Sequence, residues 1–96
     1  MLVVVMYDIC TETSLGRKRL RTAAKFCHGY GRRVQASVYE CLVNAAEFEE
    51  LKHGLHKMID QAEDSVRFYN LGNQYDRKVT VIGLDNGISS DSSLIF

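Results

Sequence analysis

The chain predicts an α+β sandwich of the ferredoxin-like βαββαβ type with an additional C-terminal strand. Three observations predict it. Met1 to Asp8 reads Met-Leu-Val-Val-Val-Met-Tyr-Asp, an apolar run too short for a membrane span and too rich in valine to suit a helix. Two later stretches repeat apolar residues at helical spacing. The segments around them are strand-like and bounded by glycine and polar clusters. Strand, helix, strand or strand pair, helix, strand, strand is an order that puts two helices on one face of an antiparallel sheet. In this reading residues 1–83 are the folded domain, and residues 84–96 are a flexible, Ser-, Asp- and Gly-rich tail with an apolar end.

Each element has its own signal. An unbroken apolar run reads as a strand covered on both faces, at or near the middle of a sheet, with Asp8 where it leaves the core. Thr11, Thr13 and Ser14 are all able to cap the helix that follows. In that helix Leu20, Ala23, Ala24 and Cys27 share one face; Arg17, Lys18, Arg21 and Lys25 fall largely off it, and Gly29 and Gly31 end it. From Arg32 to Val43, Val34, Ala36 and Val38 point one way and Gln35, Ser37 and Tyr39 the other, over a length that can hold a tight turn. Ala45 to about Ala62 carries Phe48, Leu51, Leu55, Met58 and Ile59 at helical spacing. Ser65–Leu71 and Lys78–Gly83 read as strands around the Gly72-Asn73-Gln74-Tyr75-Asp76 turn. A four-stranded sheet with helices on one side leaves its other side open and has no room for the last strand. A homodimer that covers the open face and exchanges that strand answers both problems.

Composition removes several classes of function. No apolar stretch reaches membrane length, and the N-terminus lacks the basic-then-apolar pattern of a signal peptide. Cys10, Cys27 and Cys41 are odd in number and far apart, which fits neither a disulfide framework nor a zinc site and points to a reduced, cytoplasmic protein. The net charge of zero hides a strong asymmetry. Seven of the twelve basic residues lie between Arg17 and Arg33, with no acid between Glu12 and Glu40. Such a segment is either a phosphate-binding surface or a solvated helix face.

Four pieces in one order then carry a resemblance: the Tyr7-Asp8-Ile9 strand ending, the basic helix after it, Arg33-Val34-Gln35-x-Ser37-Val38-Tyr39-Glu40, and Arg67-Phe68-Tyr69. Together they resemble the CRISPR-associated protein two family, the small partner subunit of the spacer-acquisition machinery of antiviral defence. The resemblance runs from Met1 through Gly83, and the Leu94-Ile95-Phe96 ending is similar to the tail of one branch of that family. It implies a ferredoxin-like homodimer whose two strand-one aspartates face each other near the two-fold axis. It implies a magnesium- or manganese-dependent endonuclease that hydrolyses double-stranded DNA or single-stranded RNA. The alternative it implies is a non-catalytic, DNA-binding dimer that bridges the CRISPR integrase subunits. Carried onto this chain, Asp8 is the catalytic, metal-binding aspartate; Arg17, Arg19 and Arg33 contact nucleic acid; Tyr7 and Tyr39 stand at accessory positions.

The chemistry fits these residue types. Magnesium takes oxygen ligands and keeps several waters, so one or two carboxylates suffice when a phosphate is also a ligand. Two Asp8 side chains in a dimer supply that pair, and arginine pairs bidentately with phosphate oxygens. Without a metal, Asp8 is a strand-end carboxylate capping local amides. Ser37 reads as a phosphate or metal-water contact, or as a small interface residue. Tyr7 and Tyr39 read as base-stacking platforms or as packed strand aromatics. His53 and His56 have metal-compatible spacing but no third ligand, and read as exposed helix residues. No general base is identifiable.

Overall fold

A computed structural model describes residues 1–86. Among them are four strands and two helices: β1 Leu2–Asp8, α1 Ser14–His28, β2 Gly31–Gln35, β3 Val38–Leu42, α2 Ala45–Met58 and β4 Ser65–Asn70. The sheet order is β2-β3-β1-β4 and every pairing is antiparallel. With both helices on one face, this is the ferredoxin-like arrangement the sequence predicts. The Leu94–Phe96 end and most of the predicted tail lie outside the described residues.

Burial follows the pleat. Val3, Val5 and Tyr7 of β1 join Tyr39 and Cys41 of β3 under Ala23 and Cys27 of α1 and Leu51 and Leu55 of α2. Met6 is 40% exposed, and Asp8 is exposed. β1 is therefore covered along the whole of one face, while on the other Leu2 is buried, Val4 half-buried and Met6 and Asp8 exposed, so the second face is covered only in part. Valine and methionine occupy its open face as well, so the run carries no period-two signal.

The helix ends have local causes. Thr13 is the N-cap of α1, its Oγ1 accepting from the Gly16 N–H at 3.0 Å. Asn44 and Glu47 form a reciprocal capping box at the start of α2. α2 ends at Met58, four residues earlier than its apolar pattern suggests, because Ile59 takes an extended backbone. The Asp60 N–H then donates to the Asp64 carboxylate at 2.9 Å, and Asp60 Oδ1 accepts from the Ala62 N–H at 3.0 Å. The two helices approach closely at Gly54, where any Cβ would run into the Phe26 ring. The turn between β2 and β3 falls at Ala36 and Ser37.

Lys78–Gly83 forms no strand here. Residues 79–86 instead run past β2 and β3, lining a hollow of about 310 Å³ with Val34, Gln35 and Glu40. Ile82 and Leu84 stay 96% and 87% exposed. No helix among the described residues is long and apolar enough to cross a membrane.

The core makes the fold sensitive to alkali. Burial pushes the Cys27 thiol up to about 12 and the Cys41 thiol up to about 11, and burial with the Tyr39 hydrogen bond raises Tyr7. All three are neutral when folded, so their stabilisation is complete below the unfolded values, near 9 for the thiols, and is lost as pH climbs towards 11 and 12. Cys27 alone contributes on the order of 4 kcal/mol across that window. The melting temperature is expected to hold to about pH 9 and then fall steeply, as thermal scans in a pH series will read. At neutral pH a thiol reagent should label the partly exposed Cys10 quickly, and Cys27 and Cys41 only on unfolding.

Candidate functional site

Asp8 closes β1 at the point where three segments meet. In the ladder it pairs with Ser65, the first residue of β4. One residue earlier, the Tyr7 N–H donates to the Ser37 carbonyl at 3.1 Å, so the β2–β3 turn lies beside the strand end. Even-numbered positions of β1 share the open face, which puts Asp8 in line with Met6 and Val4. The carboxylate is thus solvent-facing on a rigid element, next to an uncovered apolar surface.

The loop after Asp8 is tied down on every side. Ile9 is buried in the core. The Cys10 N–H donates to Asp64 Oδ1 at 3.0 Å. The first turn of α1 packs on the Cys10 carbonyl at Gly16, where a Cβ would overlap that oxygen. Arg17 Nη1 donates to the Thr11 carbonyl at 3.1 Å, holding the exposed Arg17 side chain against the same loop.

The basic residues divide into two sets. Arg17, Lys18, Arg21 and Lys25 are exposed along α1, and Arg33 is exposed on β2, opposite Tyr39 in the ladder. Arg19 differs. Its Nε donates to Asp64 Oδ2 at 2.8 Å and its Nη2 lies 3.3 Å from Glu63 Oε2. The Arg19 side chain is 19% exposed, and that of Asp64 is fully buried. Arg19, grouped in the sequence with the nucleic-acid contacts, thus has its Nε and Nη2 held by two carboxylates. Burial raises the Asp64 carboxyl, but the hydrogen bonds from Arg19, Asp60 and Cys10 outweigh it and keep the group below the usual carboxylate range.

Of the two readings of the accessory tyrosines, their burial matches packed strand aromatics. Tyr39 has no exposure and its hydroxyl donates to the Ala24 carbonyl at 3.4 Å; Tyr7 is 5% exposed, with its ring centroid 6.1 Å from that of Tyr39. Both lie under the helices, on the face opposite Asp8, where they pack and cannot stack on a base. Ser37 takes part through its carbonyl, as above.

Among the described residues no group of three or more His, Cys, Asp and Glu side chains could hold an ion. The His56 ring lies 3.0 Å from the Gln61 amide nitrogen, and His53 and His56 line a cleft of about 440 Å³ with Leu55, Ile59, Val66 and Phe68. The chemistry of Asp8, an exposed oxygen donor on a fixed strand end, suits magnesium or manganese as half of a site. Asp64 is the residue that sequence reasoning missed. Its one signal is indirect: Arg19 has no acid in its own stretch between Glu12 and Glu40 and needs a distant partner.

Fold and site define a small ferredoxin-like protein with a strand-end carboxylate on an open sheet face beside an exposed basic helix. The sequence profile described as CRISPR associated protein Cas2 matches residues 1–79. The chain belongs to that family. It is 47% identical to the CRISPR-associated endonuclease Cas2 of Halalkalibacterium halodurans over the whole of both chains. It is 43% identical to the CRISPR-associated endoribonuclease Cas2 1 of Moorella thermoacetica over 99% of each. The crystal structure of Streptococcus pyogenes Cas2 at pH 6.5 superposes with a TM-score of 0.76 at 54% identity, covering 86% of this chain and 100% of that one.

Proposed function

We propose that this chain is a magnesium- or manganese-dependent endonuclease of CRISPR antiviral defence, acting in spacer acquisition as a cytoplasmic homodimer. The observation that carries the reading is Asp8, a solvent-facing carboxylate locked at the end of β1, in a chain 43–47% identical to proteins named as endonuclease and endoribonuclease. Its reaction is hydrolysis of a phosphodiester bond in double-stranded DNA or single-stranded RNA. A bound magnesium or manganese ion supplies charge to offset the developing anion and activates water for attack. Asp8 from each protomer holds that ion; the exposed Arg17 and Arg33 hold phosphates and fix the strand. Arg17→Ala and Arg33→Ala are each expected to weaken duplex binding and to lower the slope of log affinity against log salt by about one. A salt titration by fluorescence anisotropy reads this.

Two features support the dimer. Met6, Leu42 and Tyr69 are 40–45% exposed on the open sheet face. The apolar segment around Ile82 and Leu84 is left uncovered by its own chain, as suits a strand that pairs with a second copy. A specific observation also favours the second reading, a non-catalytic DNA-binding dimer that bridges CRISPR integrase subunits: one chain offers a single candidate metal ligand and no three-ligand cluster among the described residues. The deciding experiment is cleavage of labelled duplex DNA and single-stranded RNA with magnesium, manganese or chelator, by wild type and Asp8→Ala prepared identically. Metal-dependent cleavage lost in the variant supports the nuclease. No cleavage by either protein, with salt-sensitive duplex binding retained, leaves the bridging role.

A further inference from the structure

Buried Asp64 and half-buried Arg19 form an ion pair in a position that costs the fold something to keep. A carboxylate removed from water is tolerated only when its oxygens are fully paired. Those of Asp64 accept from the Cys10 N–H, the Asp60 N–H and the Arg19 Nε, all at 2.8–3.0 Å. One of these bonds reaches across 54 residues to the loop that leaves Asp8. The geometry closes a short ring. It runs from Asp8 through Ile9 to the Cys10 N–H, across to Asp64, on to Ser65, and back through the ladder to Asp8. The ladder and the buried Ile9 fix two sides of the ring, and the α1 turn seated on the Cys10 carbonyl braces it from outside. The Asp64 hydrogen bond closes it. Loss of that bond loosens the backbone of residues 9 and 10 and, through it, the last residue of the strand.

We propose that Asp64, oriented by Arg19, is a positioning residue for Asp8, and that Arg19 serves the reaction through Asp64 and not by touching a phosphate. The inference rests on the nuclease reading and adds to it a residue separated from Asp8 in sequence by two helices and two strands. An arginine among exposed cations on α1 looks like a phosphate ligand; its Nε and Nη2 are already engaged by carboxylates, and a phosphate bound through those atoms would have to displace them. The cleavage reaction is sensitive to displacements near one ångström, so loosening the loop should cost about a hundredfold in rate.

The test compares Arg19→Ala, Asp64→Ala and the double variant with wild type as the intact protein. Readouts are kcat and KM for metal-dependent cleavage, the salt slope of duplex binding, manganese binding followed by electron paramagnetic resonance without substrate, and hydrogen exchange at the Cys10 amide. Both single variants are expected to lower kcat about a hundredfold, with KM and salt slope within about twofold of wild type, and the double variant should be no worse than the worse single. Manganese affinity should fall with them, and Cys10 exchange should speed up. Asp64→Asn retains a carbonyl oxygen for the Cys10 amide and should recover part of the rate; with Arg19→Lys it replaces the alanine variants if those do not fold. The inference is overturned if Arg19→Ala lowers the salt slope by about one while Asp64→Ala leaves it alone, as a direct phosphate contact requires. It is equally overturned if the Asp64 variants speed Cys10 exchange without changing kcat or manganese affinity, since Asp64 is then structural only. A wild type with neither cleavage nor Asp8-dependent manganese binding sinks the nuclease reading itself, an outcome seen before any Asp64 variant is made.

Discussion

Asp8→Ala is expected to abolish metal-dependent cleavage, a loss of at least about a thousandfold, while the protein remains folded and still binds duplex. The size follows from the role. A divalent ion contributes several kcal/mol of charge stabilisation to phosphodiester cleavage, and about 4 kcal/mol corresponds to three powers of ten in rate. Removing the oxygen that holds the ion forfeits that contribution. The fold has little to lose, because Asp8 is exposed and its ladder with Ser65 is made by the backbone. Surface changes of this kind move stability by about 0.5 kcal/mol or less, so the melting temperature should shift by only a few degrees. Asp8→Asn keeps the size and loses the charge, and should fall almost as far. Binding measured in the same salt series should match wild type, since the exposed Arg17 and Arg33 remain. Cleavage by Asp8→Ala at the wild-type rate, still abolished by chelator, would locate the metal elsewhere and remove Asp8 from the reaction.

Sequence reasoning read the architecture well because the architecture depends on local pattern. The basic helix, its cap at Thr13 and the strand at Ser65–Asn70 all stand where spacing and turn chemistry put them. It says least wherever the partner of a residue lies far along the chain. Tyr39 looks like a surface aromatic on a half-buried strand, yet the ladder sets it against Val5 and under His28, whose ring meets it edge-on at 5.3 Å. Arg19 looks interchangeable with Arg17; an acid 45 residues away makes them different. The end of α2 has neither glycine nor proline to announce it, and the same Asp64 supplies the acceptor that lets the chain turn there. Lys78–Gly83 has the composition of a strand, but it pairs with neither edge of the sheet within this chain.

That unpaired segment and the open sheet face lead to the second large effect. Met6→Lys is expected to convert the dimer to a monomer and to lower cleavage at least about a hundredfold, because an ammonium held against a second copy of the same face has no partner. Within a single chain the change is mild. Met6 is 40% exposed, between Val38 and Arg67 in the ladder, and a lysine there can reach water. Light scattering should therefore show a folded monomer and not an aggregate. The two effects combine in a mixing experiment that separates a shared metal from two independent ones. Wild type and Asp8→Ala, exchanged to equilibrium at equal concentration, leave about a quarter of the dimers with both carboxylates. If one ion needs both Asp8 side chains, activity per total dimer falls to about a quarter of the wild-type value, and adding more Asp8→Ala lowers the total activity still further. If each Asp8 serves its own ion, activity settles at about half and further variant protein dilutes without inhibiting. The first result makes the two-fold face part of the active site; the second would confine the chemistry to a single chain, and the lone carboxylate per protomer would then have to be completed by the nucleic acid.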